Sequence, residues 1–162
     1  NELGGKPLKE VFLHCRSTIN AEEFEGFRSA CPAGISLNGI RVRKELPGGV
    51  RIFREGTRPV LRGTCWTISD KSCFLWASGY SPRLGTYDGW EIPAPLRIDI
   101  QHGQANIMQV ATDILGLTKL NYNACRLGES KPVTVGFSNA VGEILISNPE
   151  VRNPSRKFKF YI

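Results

Sequence analysis

The chain has 162 residues, 41% of them hydrophobic and 22% charged, with 21 Lys+Arg against 15 Asp+Glu and a formal net charge of +6. These values fit one medium domain with a real core and exclude a disordered chain. A bilayer-spanning chain is excluded as well, since no apolar run approaches the roughly 20 residues that a crossing needs.

The positive excess is modest and compatible with a polyanionic partner or with an ordinary basic surface. Five cysteines (Cys15, Cys31, Cys65, Cys73 and Cys125) are scattered, with no C-x-x-C pair and only two histidines to complete a metal site. That usage argues against a zinc cluster or a secreted disulfide scaffold, and for reduced thiols in a cytoplasmic protein. The start, Asn1-Glu2-Leu3, lacks both an initiator Met and a signal peptide and reads as the inside of a longer chain.

In chain order, Lys9–Cys15 (KEVFLHC) is a short run of β-formers, expected as a buried strand. Asn20 caps a predicted helix with Glu22 and Glu23 in its first turn, ending before Pro32. Gly34–Arg43 alternates apolar residues around Asn38-Gly39, a pattern that fits a hairpin or a bulged strand. Val50–Arg54 is a further possible strand, after the turn Pro47-Gly48-Gly49. Basic residues gather between Arg41 and Arg62, where charge on strands reads first as a solvated face. Pro59–Ile68 and Ser72–Ser78 flank Ser69-Asp70-Lys71 as a predicted hairpin, Tyr80–Pro95 is a loop, and Leu96–Ile100 is a strand.

Ile107, Val110, Ala111, Ile114 and Leu117 then recur at the spacing of a helix with one buried stripe. The stripe runs into Leu-Thr-Lys-Leu-Asn-Tyr-Asn, which carries one cation, two amides and a phenol. Helical pattern resumes after Pro132, a residue suited to the first helical position. The polar elbow between two apolar helices suits an anionic backbone as ligand, or serves only as a helix cap and surface turn. The chain closes with RKFKFYI, an alternating run from Arg156 to Ile162. Strands followed by helices packed on them make an α/β or α+β domain.

TDILGLTKLNYNA followed by PVTVGFSNAVGEIL resembles the C-terminal part of the Piwi domain of prokaryotic Argonaute proteins, especially the short ones. Upstream, VFLHCRS, PVLRGTCW and FLWASGYSPRLGTY resemble Piwi segments in the family's order, so the likeness covers most of the chain. It implies an α/β, RNase H-like fold, a mixed sheet flanked by helices. VFLHC would be an interior strand there. The first Piwi strands and the phosphate-binding Mid domain would lie before residue 1.

The resemblance also implies a chemistry. RNase H-type cleavage uses two metal ions held by clustered carboxylates. In slicing Argonautes one catalytic Asp follows the strand that VFLHC resembles, and here that place reads Arg16-Ser17. The family's last metal ligand, Asp or His, matches Asn139. Neither position suits a hard cation, so the implied site is inactive. Lys119, Asn121, Tyr122 and Asn123 would touch the phosphates of the guide strand, with Arg62 and Arg83 as further contacts. The carboxylate of Ile162 would help hold a divalent cation, Mg²⁺ or Mn²⁺, against the guide's 5′ phosphate.

The implied partners are a guide, a complementary target and the rest of an Argonaute, with no membrane involved. A TIR or sirtuin-like NADase or a nuclease would act as effector in defence against invading DNA. Two other readings stay open. One is an active slicer whose carboxylates come from an absent half plus Glu22 or Glu143; the other is a structural half-domain that binds no nucleic acid.

Overall fold

The computed structural model describes residues 7–45, 49–56, 58–85, 92–120, 130–148 and 150. Strand β1 (Glu10–Cys15) leads through helix α1 (Ala21–Ala30) into β2 (Ser36–Lys44), which pairs with β1 in parallel. A parallel pair needs such a crossover, and the sequence supplies its start in a complete capping box. The Asn20 side chain accepts the Glu23 N–H at 2.8 Å, while the Glu23 carboxylate accepts the Asn20 N–H at 3.0 Å.

Strands β3 (Cys65–Ser69) and β4 (Ser72–Leu75) form a hairpin, and β5 (Leu96–His102) lies between β4 and β2, antiparallel to both. The sheet order is β1-β2-β5-β4-β3. Among the described residues β1 stands at the edge of the sheet, on the side where the expected earlier strands would pair.

One face of the sheet carries Ile40, Val42, Cys73, Leu75, Ile98 and Ile100. Helix α2 (Ile107–Leu117) covers it with the predicted stripe of Ile107, Val110, Ala111 and Ile114, and α3 (Val133–Ser147) adds Val135. Each such side chain contributes about 1.5–3 kcal/mol when fully buried. On the other face, Phe24 of α1 packs with Ile19 and Leu37 at one end, and Val60, Phe74 and Trp76 form a second cluster at the other.

Several expectations need correction. Asn38-Gly39 makes no hairpin: β2 is one strand with a register irregularity at Gly39/Ile40. The Asn38 side chain is fully buried, donating to Glu10 Oε1 at 2.8 Å and accepting the Gln104 N–H at 3.1 Å. An amide satisfied this way stabilises a strand interior as readily as a turn. Val50–Arg54 forms no strand; Val50 and Ile52 pack on the Val60–Phe74–Trp76 cluster instead. Helix α3 starts after Pro132 as expected, but Pro132 is its cap residue rather than its first helical residue. The first hairpin strand is shorter than Pro59–Ile68, although residues 62–64 stay hydrogen-bonded to the β4 side, Gly63 N–H to Trp76 O at 2.8 Å among them.

Candidate nucleic-acid interface

Helix α2 ends where its stripe ends. Thr118 is its C-cap, fully buried, and its hydroxyl donates to the Leu115 carbonyl at 2.6 Å. The same oxygen accepts a 2.9 Å hydrogen bond from Arg62 Nη2. The last carbonyls of a helix lack intrahelical donors and carry partial negative charge, so a guanidinium is favoured there. Partial burial lowers the Arg62 pKa from its ordinary value.

Lys119 follows directly and is exposed, its N–H on Gly116 O at 3.0 Å. Two predicted contact residues that lie far apart in sequence, Arg62 and Lys119, therefore meet at one helix end. Arg83 is exposed in the turn that leaves Tyr80, and the Tyr80 carbonyl accepts the Arg62 backbone N–H at 3.0 Å. Asn121, Tyr122 and Asn123 lie outside the described residues, as do Ile162 and the predicted strand Arg156–Ile162.

A second group forms where the end of β1 faces α3. Phe12, His14 and Arg16 alternate toward the helix-covered side. Phe12 joins the core, and His14 Nδ1 lies 2.9 Å from Thr134 Oγ1. Arg16 Nη1 donates to Asn139 Oδ1 at 3.3 Å. The two positions singled out in the sequence for the lack of a carboxylate are therefore in contact, a cation against a neutral amide. Ser17 is exposed; its carbonyl accepts from the Cys15 thiol at 3.1 Å. Burial lowers the His14 pKa, the Asp113 carboxylate opposing, so the imidazole is neutral near pH 7. Among the described residues no group of three or more His, Cys, Asp or Glu side chains converges as a metal site would require.

Thr118, Thr134 and His14 carry these contacts but do not stand out in the sequence. A hydroxyl just after an apolar stripe and a Thr two residues after a Pro were the available signals, and both read as ordinary helix-end residues.

No family model matches this sequence, and no curated protein matches it. Solved structures do match. Clostridium butyricum Argonaute bound to a guide DNA with a 5′ deoxycytidine and a 19-mer target DNA superposes with a TM-score of 0.69 at 18% identity. The match covers 97% of this chain and 20% of that one. Aa-Ago with externally bound siRNA gives 0.65 at 20% identity, covering 96% and 20%. Aquifex aeolicus Argonaute gives 0.62 at 18% identity, covering 96% and 21%. The fold is the RNase H-like one of an Argonaute Piwi region. The present chain spans about a fifth of the length of each of these proteins. Within that fold the Arg16–Asn139 contact and the Arg62–Thr118–Lys119 group belong to separate places, the first at β1 and α3, the second at the end of α2.

Among the described residues no helix is long and apolar enough to cross a membrane.

Proposed function

We propose that this chain is the C-terminal part of the Piwi domain of a short prokaryotic Argonaute, and that it holds a guide and its complementary target without cutting either. Base pairing between guide and target selects the sequence, and the protein contributes backbone contacts that carry no sequence information. Lys119, Arg62 and Arg83 supply cations to those backbones, and Asn121, Tyr122 and Asn123, next in sequence after Leu120, are further contacts on this reading. The Mid domain and the first Piwi strands lie before residue 1, and the free edge of β1 is where such strands would pair. The assembled cytoplasmic protein reports target recognition to an effector, an NADase of TIR or sirtuin-like type or a nuclease, in defence against invading nucleic acid.

The observation that carries the non-cutting reading is the Arg16–Asn139 hydrogen bond of 3.3 Å. A pair of divalent cations needs anionic oxygens to replace lost hydration. A guanidinium repels such ions and a neutral amide binds them weakly, so the residues present here do not fit the metal pair. The other expected cation, at the guide's 5′ phosphate, would use the Ile162 carboxylate. That residue lies outside the described ones, and no step is assigned through it.

The test is a single-turnover incubation of the complete protein with a 5′-phosphorylated guide and a complementary target, Mg²⁺ or Mn²⁺ present. Binding and cleavage are read from the same sample. The expected result is a stable complex and an intact target. A cut opposite the middle of the guide, abolished by chelation, would overturn the non-cutting part. Failure to bind any guide would overturn the whole reading and favour a structural half-domain.

A further inference from the structure

The sheet has a face that the helices α2 and α3 leave uncovered. Strand register places four side chains of that face in one transverse row, Trp66 beside Phe74, Phe74 beside Arg97, and Arg97 beside Arg43. The row crosses β3, β4, β5 and β2, a span of about 14 Å at the usual strand spacing. Phe74, 7% exposed, lies at its middle beneath the Val60–Trp76 cluster, with the Trp66 ring 6.0 Å away on one side and the Arg97 guanidinium 5.9 Å from its centroid on the other. Trp66 is 52% exposed.

Charge on this face is unbalanced. Asp99 receives Arg41 at 2.8 Å and Arg97 at 3.1 Å, one carboxylate for two guanidiniums. Arg43, exposed and directly opposite Arg97, makes no hydrogen bond or ion pair among the described residues. Like charges directly opposite on neighbouring strands destabilise a sheet. Among the described strand residues of this face, Arg41, Arg43 and Arg97 stand against Asp99, with Glu45 two residues beyond Arg43, so guanidiniums outnumber carboxylates beside a half-exposed indole.

We infer that this sheet face binds single-stranded nucleic acid, with an unpaired base stacked on Trp66 and backbone phosphates on Arg43 and Arg97. A single strand fits better than a duplex, because a duplex offers its phosphates but keeps its base faces stacked inside. An acidic peptide would satisfy the arginines and leave Trp66 without a planar partner. The surface is separate from the helix end that carries Lys119, and the inference does not require the guide-holding reading to be right.

The test uses the chain with an oligothymidylate bearing a 5′-hydroxyl, so that no 5′-phosphate pocket takes part. Binding is followed by indole fluorescence and by anisotropy of a labelled strand. Oligothymidylate should quench fluorescence in the native chain. Trp66→Ala should remove most of that quenching and weaken binding about tenfold, while Trp66→Phe keeps most of the affinity. Arg43→Glu should weaken binding about tenfold at low salt and flatten the salt slope by at least one phosphate contact. Both residues are exposed, and unchanged melting curves confirm that the fold survives.

The inference is overturned if Trp66→Ala and Arg43→Glu bind with native affinity and slope, or if polyglutamate displaces the oligonucleotide as well as unlabelled oligothymidylate does. It is also overturned if binding is lost in Lys119→Ala and kept in both sheet-face variants, a result that would leave the helix-end reading intact.

Discussion

Replacing Thr118 by Val tests how the end of α2 is held. The change is nearly isosteric in a fully buried site, so packing is conserved and only the hydroxyl is lost. Two hydrogen bonds go with it, the one accepted from Arg62 Nη2 at 2.9 Å and the one donated to Leu115 O at 2.6 Å. A hydrogen bond to a charged group is worth about 1.5–3 kcal/mol net, and the partial exposure of Arg62 places it at the lower end. The Leu115 carbonyl retains access to other donors at the helix end, so its loss adds little. The expected cost is about 2 kcal/mol, or a fall in Tm of about 4–8 °C for a chain of this size.

The decisive measurement is a double-mutant cycle with Arg62→Met, read by urea unfolding at fixed ionic strength. Each single variant should destabilise, and the double variant should be about 1–2 kcal/mol more stable than the sum predicts, because the second change removes a contact already broken. Thr118→Ser should retain most of the stability. Strict additivity of the two losses would show that the Arg62–Thr118 contact contributes nothing, and would refute the account of Arg62 as the anchor of this helix end.

Three further outcomes are expected. His14 has a lowered pKa, so below its ordinary value near 6.5 the unfolded chain binds the proton more readily than the folded one. Stability should therefore fall as pH drops from about 7 through 6.5 toward the lower folded value; His14→Gln should flatten that slope in melts taken across the range, and an unchanged slope would exclude His14 as its source. Gly103 has φ +88°, and a Cβ there would strike the Asn38 side-chain oxygen and crowd Leu37 O at 2.9 Å; Gly103→Ala should cost about 3 kcal/mol in urea unfolding, from left-handed backbone strain plus displacement of a satisfied buried amide, and a cost below about 1 kcal/mol would contradict the tight turn. Cys73 is fully buried, and burial first, then the neighbouring Cys65 thiol, push its pKa up to about 12; alkylation of the native chain at mildly alkaline pH should spare Cys73 until denaturant is added, as peptide mass mapping would show.

Local chemistry made much of the fold legible. The capping box of Asn20 and Glu23 announces α1 within four consecutive residues, and the i, i+3, i+4 spacing from Ile107 to Leu117 announces α2 and its buried face. Asn38-Gly39 misleads because the same residue types serve turns and buried, satisfied strand positions. There a Cβ on Gly39 would crowd His102 and Ile19 at 3.2 Å, a packing reason that no turn rule contains. Val50–Arg54 alternates like a strand yet finds no ladder partner, and its apolar side chains fill a cluster instead. The site contacts were least legible. Arg16 and Asn139 are separated by 123 positions and Arg62 and Thr118 by 56, and periodicity carries no information over such distances. Resemblance to a family singled out Arg16, Asn139, Arg62 and Lys119, but not who touches whom.

The manner in which the arginines are held has a consequence for binding. Arg28, Arg41 and Arg97 pair with carboxylates, which orients each guanidinium and also cancels its charge locally. Arg16 is oriented by an amide oxygen, which fixes a direction without contributing a compensating charge. A carboxylate at position 139 would neutralise Arg16, and an apolar residue there would leave it unanchored. Only a neutral acceptor delivers a placed and still fully charged guanidinium, the form in which it binds phosphate most strongly. On the proposed reading, a nucleic-acid backbone at this end of β1 is held by an organic cation that Asn139 orients. Target retention at this end of β1 then requires no divalent ion. Chelation should leave a preloaded complex bound to its target, and release of the target on chelation would refute the role given to Arg16.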